Sequence, residues 1–154
     1  VAGIAFGTLD DRGQIHRERT AELVRLIGGR EAVFHRAFDV LPHLDEAIEL
    51  LIDSGVRRVL TSGGAEQAVD GIPVLQQLQA RSAGRIELLT AAGISSSNVR
   101  RIVEQTGCRQ VHGSFRESRR EAPVGGLDTF RRPPPGRVSR VEVRSVRAIL
   151  DALG

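Results

Sequence analysis

Apolar positions along this chain fall into a repeating pattern. A short run of Val, Ile, Leu or Phe is followed by a polar turn containing glycine, and then by apolar residues at helical spacing. The runs at 3–9, 32–38, 57–61, 85–90 and 108–112 read as strands. Helices are expected from about Arg17 to Ile27, His43 to Ile52, around and beyond Pro73, from the Ser95–Asn98 caps to Thr106, and from Arg140 to Leu153. The second of these carries the clearest stripe, Leu44, Ala47, Ile48, Leu51 and Ile52, as expected of a helix lying on a sheet. Pro73 suits a first helical turn after Gly71-Ile72.

Strand and helix alternate about five times, at roughly 25–30 residues per unit, which is the rhythm of a parallel βαβ sheet. The runs are not strictly alternating in polarity, which predicts strands covered on both faces. An open doubly wound sheet and part of an eight-stranded barrel both fit, and periodicity does not separate them. No Gly-x-Gly-x-x-Gly follows a strand, which weighs against the dinucleotide-binding version. The expected organisation is a βα unit array over 1–115, an Arg-, Pro- and Gly-rich loop over 116–137 that is compatible with disorder, and a final helix over 138–154 packing on the array. Val1 to Gly7 reads as a strand already under way, which points to a fragment or an alternative start.

Composition narrows the function classes. The chain has no Lys, Tyr, Trp or Met, and its formal net charge of +3 comes from Arg alone. Without Lys there is no Schiff-base nucleophile. Scattered Arg and few aromatic residues argue against nucleic acid as a partner. No run approaches the length of a membrane span. One cysteine, Cys108, and no leader pattern suggest a reducing cytoplasm.

In parallel α/β folds the working residues sit at the carboxyl ends of strands. The polar residues at those ends are Thr8 and Asp10; His35, Arg36 and Asp39; Thr61 and Ser62; Gly93; and His112 and Ser114. His35 interrupts an apolar run and could exchange a proton near neutrality. Asp39 could orient it, so the two are the candidate catalytic pair. Arg36 could hold a carboxylate or phosphate. Strand alternation places His35 and Asp39 on one side and Arg36 on the other; a bond that merely holds the loop is the structural alternative. The turns Thr61-Ser62-Gly63-Gly64 and Ala92-Gly93-Ile94-Ser95 offer N–H groups to an anion. His35 and His112 are weak metal candidates. Cys108 and His112 open and close one strand, too far apart to share an ion.

Val33-Phe34-His35-Arg36-Ala37-Phe38-Asp39, followed by Gly55-Val56-Arg57-Arg58-Val59-Leu60-Thr61-Ser62-Gly63, resembles the CutC family of copper homeostasis proteins. Gly7-x-Leu9-Asp10-x-x-Gly13, Ala92-Gly93-Ile94 and Val111-His112-x-Ser114 support the resemblance, in the family's order, over most of residues 1–115. It implies a cytoplasmic TIM-barrel-like protein, often a homodimer, associated with copper homeostasis and copper binding, with no established reaction. By the same comparison the chain corresponds to the fourth strand onward. The cysteines usually proposed as copper ligands belong to the preceding units. The expected fold is therefore α/β, an incomplete parallel βα barrel of about five units with a strand-end pocket for copper or a small anion. Two alternatives are a phosphate-handling isomerase or lyase using His35 as acid/base, and a remnant without a ligand.

Overall fold

The computed structural model describes residues 2–115 and 138–153. The loop expected over 116–137 lies outside the described residues. Five strands, β1 (Gly3–Phe6), β2 (Glu31–Phe34), β3 (Arg58–Thr61), β4 (Glu87–Ala91) and β5 (Gln110–His112), form one sheet in the order β1-β2-β3-β4-β5. Every pairing is parallel. The helices are α1 (Arg17–Ile27), α2 (Leu44–Asp53), α3 (Ile72–Ser82), α4 (Val99–Thr106) and α5 (Arg140–Leu153).

The strand order settles what periodicity left open. A doubly wound sheet reverses its order at a switch point. Here each strand lies beside its predecessor, and right-handed crossovers then put every helix on the same face. This is the winding of a βα barrel. The outer edges of β1 and β5 have no strand partner among the described residues.

Burial shows which face is which. Along β2 and β3 it alternates residue by residue. Ala32, Phe34, Val59, Thr61, Leu88 and Thr90 are buried under the helices. Phe34 is fully enclosed and meets Phe6 edge-on at 5.7 Å; its truncation to Ala would cost about 3–5 kcal/mol. The other face carries Glu31, Val33, Arg58, Leu60, Glu87 and Gln110, none of them fully buried. The expectation of strands covered on both faces is therefore corrected: no described helix covers this second face.

On it, Arg58 braces three strands. Its Nη1 donates to Glu31 at 2.8 Å and its Nε to Glu87 at 2.8 Å, while Gln110 Nε2 donates to Glu87 at 2.8 Å. The bond from Arg58 is the main reason the Glu87 carboxyl lies below its ordinary range.

The core has two parts. Phe34, Phe38, Ile48, Leu51, Val59 and Leu78 pack between sheet and helices, and a second cluster joins Leu75, Val99 and Ile102 to Val146 of α5. The final helix forms where its sequence predicts it. The second strand is shorter than expected. It stops at Phe34, and Arg36–Val40 wind into a 3₁₀ turn. Only the part of the third helix from Ile72 onward is α-helical, with Pro73 in its first turn.

Candidate functional site

The turn after β2 is built by its own side chains. His35 Nδ1 accepts the Ala37 amide N–H at 3.1 Å, so His35 caps the 3₁₀ turn. In the neutral imidazole this bond assigns the proton to Nε2. The ring lies over Gly7 of the neighbouring chain segment, where a Cβ would overlap the imidazole. Gly7 is needed for that approach.

Asp39 goes elsewhere. Its Oδ1 accepts from the Thr61 hydroxyl at 2.6 Å, the Ser62 amide at 3.0 Å and the Gly64 amide at 3.2 Å. Its Oδ2 accepts from Arg36 Nε at 2.7 Å and lies 3.0 Å from the Ser62 hydroxyl, whose one proton it shares with the Ala65 carbonyl at 2.5 Å. The Asp39 side chain is 6% exposed. Gly63 N–H donates to Thr61 Oγ1. The Thr61–Gly64 turn does receive an anion, and that anion is the chain's own carboxylate. The loop then folds back so tightly that a Cβ at Gly71 would collide with the Ser62 carbonyl.

The expected His35–Asp39 pair is therefore corrected. Strand alternation ends at Phe34, and the 3₁₀ turn swings Asp39 onto the end of β3 while His35 leans toward β1. The structure brings Arg36, Asp39, Thr61 and Ser62 together. Arg36 Nη2 donates to Ser62 Oγ at 3.0 Å and to the Ala65 carbonyl at 3.3 Å, while Nη1 has no partner among the described residues.

The other expected residues serve their own loops. Thr8 exchanges a hydroxyl bond with Thr20 at 2.8 Å. Asp10 accepts the Arg12 and Gln14 amides, and the Gln14 bond is the main cause that holds its carboxyl below the usual range. The Gly93 carbonyl accepts from Asn98. In the turn that follows, Ser96 donates to Glu142. His112 and Ser114 are exposed at the end of β5.

A groove of about 500 Å³ lies between the start of α2 and the side of α3, lined in part by Leu41, His43, Leu44, Val74 and Arg81. It shares Asp39 with the expected set, but neither His35 nor His112 lines it. The spacing of residues gave no hint of this groove, which depends on how two helices diverge.

The donor set does not fit copper. Cys108 is buried, where its thiol faces Gln79 Oε1 at 3.7 Å. His35 has one ring nitrogen engaged by the backbone. Among the described residues, no three of His, Cys, Asp and Glu are grouped to hold an ion. The expected His35–His112 metal pair is accordingly not assembled into such a group. No described helix is long and apolar enough to cross a membrane.

Comparison with known proteins places this geometry. The family model described as the CutC family matches residues 1–117. A CutC family protein of Glaesserella parasuis is 42% identical over 119 residues, 77% of this chain and 49% of the relative. The mouse protein named copper homeostasis protein cutC homolog is 39% identical over 117 residues, 76% of this chain and 43% of that one. The crystal structure of CutC from Streptococcus agalactiae superposes with a TM-score of 0.67 at 30% identity, covering 71% of this chain and 54% of that chain. The chain spans about half the length of the curated relatives it matches. With the family's motif segments folded as one arc of a βα barrel, the chain belongs to the CutC family.

Proposed function

We propose that this chain serves copper homeostasis, the role in the mouse relative's name, and that its strand ends recognise a small oxyanion rather than the metal itself. The observation that carries this reading is the pair of N–H donors at the β2 end, His35 Nε2 and Arg36 Nη1, that the turn itself does not use. His35 is fixed as an Nε2–H donor because its Nδ1 accepts from Ala37. Arg36 is held by Asp39, Ser62 and Ala65 with Nη1 left for a ligand. A guanidinium restrained in this way still offers N–H groups suited to carboxylate or phosphate.

Titration calorimetry with inorganic phosphate and with Cu(I) tests the proposal. Phosphate is expected to bind the unaltered chain and to lose about tenfold in affinity in Arg36→Met, the loss of one charge-assisted contact. Stoichiometric Cu(I) binding that disappears in His35→Gln would overturn it. A phosphate-handling isomerase or lyase would draw on the same His35 Nε2 proton as its general acid. Turnover of a phosphorylated substrate, lost in His35→Gln, would mark that second reading.

A further inference from the structure

The turn between β4 and α4 is held by a distant part of the chain. The Ser96 amide and hydroxyl both donate to the Glu142 carboxylate, the hydroxyl at 2.9 Å, across 46 residues of sequence. Glu142 belongs to α5. Ser139-Arg140-Val141-Glu142 has the spacing of a capping box, in which the glutamate normally reaches back to the N–H of the capping serine. Half of that box is present, since the Glu142 amide donates to Ser139 Oγ at 3.3 Å. The other half is diverted. The Ser139 amide donates to the Phe115 carbonyl at 2.7 Å, and the Glu142 carboxylate goes to Ser96.

Glu142 thus occupies the remote Ser96 donors, and the local Ser139 amide becomes its alternative partner once the bond to Phe115 opens. Among the described residues, α5 is otherwise held by an apolar contact in which Ile149 and Leu150 pack, partly buried, beside Val146. Val146 is its one buried side chain, while Val141 is 74% exposed. A helix with a single fully buried side chain opens locally at lower cost than the helices of the core. The contrast with Asp39 is plain: that carboxylate is buried, comes from the adjoining turn and has four donors besides the shared Ser62 hydroxyl.

We propose that α5 is a strap with two positions. In the docked position Glu142 occupies the Ser96 donors at the carboxyl end of β4. In the released position Glu142 closes its own capping box, and the Ser96 amide and hydroxyl become open to an oxyanion from solution. The carboxylate of α5 is then the internal competitor of that oxyanion. The device stands independently of the His35 and Arg36 reading.

Hydrogen–deuterium exchange on the full chain tests it, with inorganic phosphate as the probe. Glu142→Gln keeps the side-chain size and removes the charge. It is expected to raise exchange of the α5 amides at least about fivefold, the loss of one charge-assisted contact, and to leave β2–β4 unchanged. Replacing chloride by phosphate at equal ionic strength is expected to raise α5 exchange in the unaltered chain and to add nothing in Glu142→Gln. Should that variant exchange everywhere, Ser96→Ala, which removes only the hydroxyl, carries the same comparison. Protection of α5 that is equal in the chain and its variants, or that phosphate leaves unmoved, overturns the proposal.

Discussion

Removing the Asp39 carboxylate should damage the fold far more than removing the arginine paired with it. Asp39→Ala leaves the Thr61 hydroxyl and the Ser62 amide without their acceptor, on two residues that are fully buried, while the Ser62 hydroxyl keeps the Ala65 carbonyl. It also frees the Gly64 amide. Hydrogen bonds to a charged group contribute about 1.5–3 kcal/mol each, and buried donors left unsatisfied cost comparable amounts. These terms share one carboxylate and do not add. A loss of about 3–5 kcal/mol is the expectation, in line with breaking a buried ionic network from its central side. Arg36→Ala is different. The guanidinium is 44% exposed, and Asp39 keeps its other donors. That variant should lose no more than about 1 kcal/mol. Urea unfolding followed by circular dichroism reads both. With a slope of about 2 kcal/mol per molar, Asp39→Ala should move the midpoint by about 2 M and Arg36→Ala by less than about 0.5 M. Equal shifts for the two variants, or an Asp39→Ala midpoint near that of the unaltered chain, would refute the reasoning that Asp39 is the staple of the β3 end.

Two further predictions follow from other parts of the sheet. Gly7→Ala should displace the His35 ring and break its bond to Ala37, visible as a changed His35 ring resonance with a loss of about 1 kcal/mol or more. The Glu87 carboxyl is depressed chiefly by its bond from Arg58, so its contribution to stability is fully present above the ordinary value of 4.5 and is lost as pH falls through the lower folded value. Arg58→Met should therefore lower the urea midpoint at neutral pH, by up to about 1 kcal/mol per exposed pair, and the gap to the unaltered chain should close in acid; a gap that persists unchanged at low pH would contradict the assignment.

Much of the fold is written in local pattern. The stripe from Leu44 to Ile52 and the span from Arg140 to Leu153 declare their helices because each buries one face and exposes the other. The end of β2 is not legible in this way. Phe38 is fully buried in a 3₁₀ turn as it would be in a strand, so hydrophobicity alone extends the strand past its true end. That error of a few residues changes which groups meet. It separates Asp39 from His35 and sends it to a turn more than twenty residues away, a pairing no spacing rule reports.

The turns Thr61–Gly64 and Ala92–Ser95, the second running into Ser96, are read in the same way. Their composition marks them as acceptors of an anion, but only the fold reveals that Asp39 and Glu142 already supply one. The Arg58 brace does have a signal in the sequence. Glu31, Arg58, Glu87 and Gln110 are polar residues on one face of adjacent strands, a period-two signal masked by the apolar Val33 and Leu60 that share that face.

The central claim, that the strand ends present fixed donors to an oxyanion, is tested most directly by nitrogen NMR of the His35 ring. The account predicts an unprotonated Nδ1, a protonated Nε2, and a shift of the Nε2–H signal on adding inorganic phosphate with no displacement of that proton by Cu(I). A protonated Nδ1, or loss of the Nε2 proton to stoichiometric Cu(I), would contradict it.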